Sequence, residues 1–230
     1  MKVRVNELIG RSSFSYSSDD FKNVPKSGTF FFCTIKEAKY LQDAQLGVVS
    51  YDRRAFDVVN WLPMIHSDAL NWPGSKYMHA GQLSLSEVGM FCRSNSGDKR
   101  WAGQLIRDEY DLALIHDRVM CDELMFIAPC MSISSEWRLW MIEGRCIAST
   151  SYSNEFCRYD KSSKQFSVDD VVKFAEELAE SFEPNDMYVM DIANSNGCLK
   201  VVEYNAFSTS GFYEVDSNLL IKKTLEYLES

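Results

Sequence analysis

Asp191, Glu203 and Asn205 are the residues whose types and spacing suggest chemistry. Asp191 interrupts an apolar, β-forming run (188–192), while Glu203 and Asn205 punctuate a second run (199–204) two residues apart, on one strand face. Between the runs stands Asn194-Ser195-Asn196-Gly197, an Asn-Gly break that reads as a β-hairpin. Parity sets a condition. A two-residue Asn196-Gly197 turn pairs 191 with 202 and sends Glu203 to the opposite face. A three-residue loop, Ser195-Asn196-Gly197 with Gly197 left-handed, pairs 191 with 201 and gathers all three polar residues. A shared site therefore predicts an odd-length loop. Two carboxylates and a carboxamide there would repel without a cation. Such oxygen donors suit a hard divalent ion such as Mg²⁺, which leaves the rest of its octahedron to water and phosphate oxygens. Solvent-facing carboxylates on a half-exposed hairpin fit the same residues taken singly.

Two further segments carry cations. Residues 93–103 hold Arg93, Lys99 and Arg100 with Gly97 and Gly103, between β-like runs at 88–92 and 101–106. Glycines let backbone N–H groups approach an anion and cations add charge, so the segment suits phosphate; a charged, solvated hairpin fits it too. No G-x-x-x-x-G-K-S/T loop occurs. Glu136-Trp137-Arg138 lies in an alternating strand, where Arg138 is either a cross-strand partner or an anion ligand.

In this order, the segment at 93–103, Glu136-x-Arg138 and Asp191-x11-Glu203-x-Asn205 with the small-residue loop at 208–211 resemble the ATP-grasp superfamily, most nearly its small phage and bacterial ligase-like clade. The D-alanine–D-alanine ligases and ribosomal-protein glutamate ligases carry the same Asp…Glu-x-Asn end. Tyr204 stands where the family often has Val, and Ser208-Thr209-Ser210-Gly211 where it often has Ser/Thr-Pro-Gly. The clade's F-x-R-P and K-x-F-x-G read here with Ser94 for Pro and Trp101 for Phe, with Lys99 and Gly103 in place.

The resemblance implies an α+β ATP-grasp fold, two α+β lobes gripping a nucleotide, preceded by a small α/β N-terminal domain. Its boundaries would be 1–80 for that domain, 81–128 for the small lobe and 129–230 for the large lobe with the metal site. It places Arg93, Lys99, Gly103, Glu136 and Arg138 at the nucleotide, with Ile127 and Ala128 at the adenine in the hinge between lobes. Lys99 and Arg138 would stabilise charge in the transfer. Asp191, Glu203 and Asn205 would hold Mg²⁺, and Tyr152, Ser208, Ser210 and Gly211 would face the substrate. The implied reaction is Mg²⁺- and ATP-dependent ligation of a small-molecule or peptide carboxylate to an amine, through an acylphosphate, releasing ADP and phosphate. The alternative is a non-catalytic nucleotide-binding or interaction protein on the same fold, for which the departures at 208–211 speak.

The elements that must position these residues are legible in outline. A strand at 29–33, a helix at 35–46 capped by Thr34 with Glu37 three residues on, and a strand at 48–51 after Gly47 make a small α/β unit. Residues 57–81 loosen into turn signals around Trp61 and Trp72, reading as an inter-lobe link or a cover over a core edge. A strand at 123–128 ends at Pro129, and a hairpin (136–142, 145–152) turns at Glu143-Gly144. Helices follow at 167–182, capped by Ser167 with Asp170 behind it, and at 217–228.

At 230 residues and 46% hydrophobic the chain can bury one or two cores. A net charge of −9 and pI near 4.9 argue against nucleic-acid binding. No apolar run approaches the ~20 residues of a membrane span. Seven cysteines without a C-x-x-C pair, and no leader-like start, read as reduced thiols of a cytoplasmic protein. A serine hydrolase finds no support: no G-x-S-x-G occurs, and His66, His79 and His116 have no triad context.

Overall fold

The computed structural model describes residues 2–5, 28–52, 54–70, 72–98, 101–152 and 165–230, of which 2–5 and 152 are described as backbone only. Lys99, Arg100 and the side chain of Tyr152 thus lie outside the described residues. The N-terminal unit pairs β1 (Lys2–Val5) in parallel with β2 (Thr29–Phe32). Helix α1 (Ile35–Asp43) follows, with the expected capping box: Thr34 Oγ1 accepts from Glu37 N, and the Glu37 carboxylate accepts from Thr34 N at 2.7 Å. The strand expected at 48–51 is reduced to one parallel bridge, Phe30 to Val48.

Residues 57–81 are neither a plain link nor a plain cover. They contain a one-turn α-helix, α2 (Val58–Trp61), followed by two 3-10 turns (Leu62–Met64 and His66–Asp68), and a strand, β3 (Lys76–His79), which pairs with β6 (Leu124–Pro129). The small-lobe sheet therefore reaches back across residue 80. Its order is β3-β6-β4-β5, all antiparallel, with β4 (Met90–Ser94) and a short β5 (Gln104–Leu105) where a strand at 101–106 is expected. Helix α3 (Glu109–Arg118), which the sequence reading did not identify, packs Leu112 and Ile115 against Cys92, Met125 and Ile127. Its cap was readable: Asp108 accepts from the backbone N–H groups of Tyr110 and Asp111, both at 3.0 Å.

The second sheet has the order β10-β9-β7-β8, again antiparallel: β7 (Ser135–Ile142), β8 (Arg145–Tyr152), β9 (Met187–Ser195) and β10 (Cys198–Ala206). Helix α4 (Val168–Ala179) buries Val171, Ala175, Leu178 and Ala179, an i, i+4, i+7, i+8 stripe, into the core that holds Tyr188, Met190 and Ile192. It ends before 182; Phe182 reaches the same core beyond the helix, its ring 5.7 Å from that of Tyr204. The opposite face packs Trp140, Ile142, Met187 and Val189 with Leu220 of α5 (Ser217–Leu228) and with Phe30 and Phe32 of β2. The chain is thus α+β, and among the described residues no helix is long and apolar enough to cross a membrane.

The β9–β10 hairpin corrects one expectation. Its loop is two residues, with Ser195 paired to Cys198, and both Asn196 (φ 52°) and Gly197 (φ 77°) are left-handed, as a type I′ turn demands. The odd-length loop is absent, yet Glu203 still faces Asp191. A β-bulge between Val201 and Glu203 adds the residue that restores parity, pairing Val201 with Ile192 and Glu203 with Asp191. Counting from the turn cannot reveal a bulge, because the extra residue lies in the strand.

Two outcomes follow. Gly197→Ala forces a Cβ into a left-handed position and should lower the unfolding free energy by about 1 kcal/mol, whereas Asn196→Gly should not; urea unfolding of both checks this. Glu87, 2% exposed, accepts from Ser84 N and Ser86 Oγ and pairs with Lys76 Nζ at 2.8 Å. Burial pulls its pKa up, but the Lys76, Ser86 and Ser84 hydrogen bonds outweigh burial and bring it down to about 2. A carboxyl depressed on folding stabilises fully above its unfolded pKa, and that contribution fades as pH falls toward about 2. Glu87→Gln should therefore reduce stability at pH 7 and flatten its decline below pH ~4.5, as read by denaturation across pH.

Candidate nucleotide and metal site

Strand alternation builds the charged wall. Along β7 one face carries Ile142, Trp140, Arg138 and Glu136 in turn; along β9 the matching face carries Met187, Val189 and Asp191. The apolar ends lie in the core under α5, and the polar ends emerge together because Arg138 pairs directly with Asp191 in register. The bulge then sets Glu203 across from Asp191 on the other side.

The side chains converge accordingly. Arg138 donates to both oxygens of Asp191, Nε to Oδ1 at 2.8 Å and Nη2 to Oδ2 at 2.6 Å, with Asp191 fully buried and Arg138 nearly so. This bidentate fork satisfies a carboxylate that would otherwise be desolvated without compensation. Asn205 Nδ2 donates to Asp191 Oδ2 at 3.1 Å and Glu203 Oε1 at 3.0 Å, so one amide spans both carboxylates. Arg93 reaches over from the small-lobe sheet and donates from Nη1 to Glu203 Oε2 at 2.9 Å. The Arg138 guanidinium also lies 4.8 Å from the ring centroid of Tyr213 and donates at 3.4 Å to the carbonyl of Gly211. Tyr213 has a left-handed backbone (φ 49°), uncommon for an aromatic residue. Nothing in the sequence reading singled it out.

Through Arg93 and Glu203 this cluster borders a cavity of about 430 Å³ between the two four-stranded sheets. Phe91, Arg93, Leu105 and Phe126 line it from the small lobe; Glu136, Val202 and Glu203 line it from the large one. The bulge serves this wall too, since Val202 and Glu203, adjacent in sequence, both border the cavity. Val58, Trp61, Leu62 and Leu70 add an apolar wall from the segment before β3, a contribution the loose sequence of that segment does not announce. Leu70 is fixed there by its N–H bond to Val201 of β10.

Other expected residues fall differently. Ile127 and Ala128 are fully buried within β6, Ile127 paired on both sides; the cavity is bordered instead by Cys130, Met131 and Ile133, just beyond the strand. Gly103 does border it, but its lack of a side chain serves packing: a Cβ there would lie 2.4 Å from the Phe91 ring. The N–H of Gly97 donates to Asp57 at 2.8 Å, and Asp98 is paired to Lys39 at 2.7 Å and hydrogen-bonded by Tyr51, so the start of the 93–103 segment is anchored to the N-terminal unit. Ser208 and Ser210 are buried, Ser208 Oγ accepting from Ser50 N and Ser210 Oγ donating to the Ala206 carbonyl. Tyr152 pairs with Glu136 through the β8 backbone.

Among the described residues no three His, Cys, Asp or Glu side chains converge as a metal centre. Asp191, Glu203 and Asn205 form a carboxylate-poor oxygen set that fits a Mg²⁺ ion sharing its shell with phosphates. Asn205 turns its NH₂ toward the carboxylates, so ligation through Oδ1 requires the amide to turn over.

Residues 34–223 match the family profile of the ATP-grasp domain, R2K clade family 3. Among solved structures the chain is similar to the ATP-grasp ligase PsnB complexed with a minimal precursor (15% identity, TM-score 0.51), covering 81% of this chain and 65% of that one, just under two thirds of its length. It is similar to a RimK domain protein ATP-grasp from Sphaerobacter thermophilus (13% identity, TM-score 0.55, 87% of this chain and 77% of that one). D-alanine–D-alanine ligase from Bacillus anthracis, complexed with ATP, gives 12% identity and a TM-score of 0.54 over 82% of this chain and 70% of that one. No curated protein matches the sequence significantly. With the profile spanning most of its length and two α+β lobes enclosing a charged cleft, the chain belongs to the ATP-grasp domain family of the R2K clade, family 3.

Proposed function

We propose that this chain is a Mg²⁺- and ATP-dependent ligase that joins a carboxylate to an amine and releases ADP and orthophosphate. The observation that carries the proposal is the hydrogen-bonded cluster of Asp191, Glu203, Asn205, Arg138 and Arg93, of which Arg93 and Glu203 border a largely apolar cavity. A cavity near 430 Å³ falls within the ~300–1,000 Å³ of small-molecule and cofactor sites. The base would lie between the sheets beside Met131 and Ile133, and the phosphates would run toward Arg93 and Arg138. Asp191, Glu203 and Asn205 would hold the ion. Bound Mg²⁺ neutralises outer phosphate oxygens and favours ADP as leaving group.

The chain's own cations do the rest. Arg138, with Lys99, would stabilise charge on the γ-phosphoryl group as an acceptor carboxylate oxygen attacks phosphorus and the bond to ADP breaks. The acylphosphate then yields to an amine, whose attack on the acyl carbon expels orthophosphate. PsnB has been captured with a precursor variant, Mg and ADP, which supports the same cofactors here. The acceptor would lie near Tyr152 and the loop carrying Gly211 and Tyr213. Cys33 and Cys92 are buried free thiols, in keeping with a cytoplasmic setting.

One observation favours a nucleotide-binding protein without turnover. Both serines expected at the substrate, Ser208 and Ser210, are buried and spend their hydroxyls on backbone partners.

Glu203→Gln should weaken Mg·ATP binding by about tenfold or more, through loss of one anionic ligand, with an unchanged circular dichroism spectrum. Calorimetry giving the wild-type affinity would overturn the metal assignment. Incubation with Mg·ATP, hydroxylamine and pooled carboxylic acids should yield a hydroxamate and ADP. AMP as product would refute this reaction type, and intact nucleotide binding without turnover would favour the second reading.

A further inference from the structure

Asp98 is a buried acid that the proposed reaction does not use. Its side chain is 3% exposed, and it stands one residue before Lys99, the cation proposed above for the γ-phosphoryl group. Two residues of the N-terminal unit hold it: Lys39 of α1 pairs with Oδ2 at 2.7 Å, and the Tyr51 hydroxyl donates to Oδ1. The residues before Asp98 are also held by the segment that follows Tyr51. Gly97 N donates to Asp57 at 2.8 Å, and a Cβ on Gly97 would lie 2.7 Å from Phe56 Cβ and 2.9 Å from the Phe56 carbonyl carbon, so the two chains meet with no room for a side chain. Asn95 accepts from Val58 N at its carbonyl (2.9 Å) and from Val59 N at its amide oxygen (2.8 Å).

The N-terminal unit is in turn fixed on the large sheet. Ser50, beside Tyr51, donates from N to Ser208 Oγ at 2.8 Å and accepts at its carbonyl from Ser208 N at 3.1 Å; Cys33 N donates to the Ser208 carbonyl at 2.8 Å. Phe30 and Phe32 share a core with Trp140 and Val189, which lie on the strand faces that carry Arg138 and Asp191. Position therefore passes from the sheet that bears the proposed ion ligands, through the N-terminal unit, to the start of the segment at 93–103. Stripping so buried a carboxylate of its cation and its hydroxyl donor is costly, which makes the last link a firm one.

We infer that Lys39 and Tyr51 are positioning residues for the outer phosphates of the nucleotide, acting through Asp98 to hold the start of the segment that carries Lys99 and Gly103. This rests on the nucleotide reading above and gives the N-terminal unit a part in it. A segment that closes over phosphate from a fixed start loses less conformational freedom than one whose start is loose. Linkage makes the effect reciprocal: whatever the tie adds to nucleotide binding, bound nucleotide returns to the tie. Among the described residues that border the cavity none belongs to 29–51, so a response of that unit to nucleotide reports the tie and not direct contact.

The test uses the full chain, with calorimetry of Mg·ATP and of AMP, and amide hydrogen exchange. Tyr51→Phe removes one hydroxyl and Lys39→Met one charge; each should weaken Mg·ATP binding roughly five- to thirty-fold, while AMP, which lacks the outer phosphates, binds as it does to wild type. Lys39→Arg keeps the cation and should keep the affinity. In wild type Mg·ATP should slow exchange across residues 35–51, and the slowing should shrink in Tyr51→Phe. Lys39 is 30% exposed, so its two variants carry the test if Tyr51→Phe fails to fold. Variants that bind Mg·ATP like wild type, variants that lose AMP and Mg·ATP alike, or exchange at 35–51 that ignores Mg·ATP would overturn the inference and leave the nucleotide reading standing. A wild-type chain that binds neither nucleotide would remove both.

Discussion

Asp191 is a carboxylate with no access to water in the middle of a β-sheet, and its need for a partner constrains much of the rest. Leaving such a charge unpaired costs several kcal/mol, a large share of what holds a domain of this size together. Arg138 answers it, and only one register of β7 against β9 brings the two opposite each other. A one-residue slip would turn Arg138 into the core under α4 and the apolar set of that strand toward the cleft. The ion pair and the two cores on either side of the sheet therefore specify the same alignment.

The same face changes character along its length. Under α5 it is Trp140, Ile142, Met187 and Val189; toward the cleft it is Arg138, Glu136 and Asp191, without a break in alternation. The charged cluster consequently stands on a rigid, packed support, the condition for holding a polar constellation in fixed geometry. The bulge at Val202 extends this to β10, bringing one apolar and one acidic neighbour to the cavity where a regular strand would offer only one of them.

The N-terminal unit belongs to this arrangement. Its Trp61 and Leu62 wall the cavity, and its Lys39, Tyr51 and Asp57 anchor residues 97 and 98, which follow the strand bearing Arg93. The small lobe is thus tied on one side to the N-terminal unit and on the other, through Arg93, to Glu203 of the large sheet.

Local signals in the sequence determined the capped helices α1 and α4, the amphipathic helix α5, the two Asn-Gly and Glu-Gly hairpins, and the family to which Asp191, Glu203, Asn205, Arg138 and Arg93 point. Capping, turn chemistry and alternation act between near neighbours, so they can be read along the chain. Tertiary structure decided what depends on distant partners. The bulge that rescues the face of Glu203 is one case, the apolar wall from residues 58–70 is another, and the place of Cys130, Met131 and Ile133 at the cavity instead of Ile127 and Ala128 is a third. It also decided that the expected ion ligands are held by arginines from two sheets. Residues 93 and 203, or 138 and 191, meet only when strand order and register are set, and no local pattern encodes that meeting.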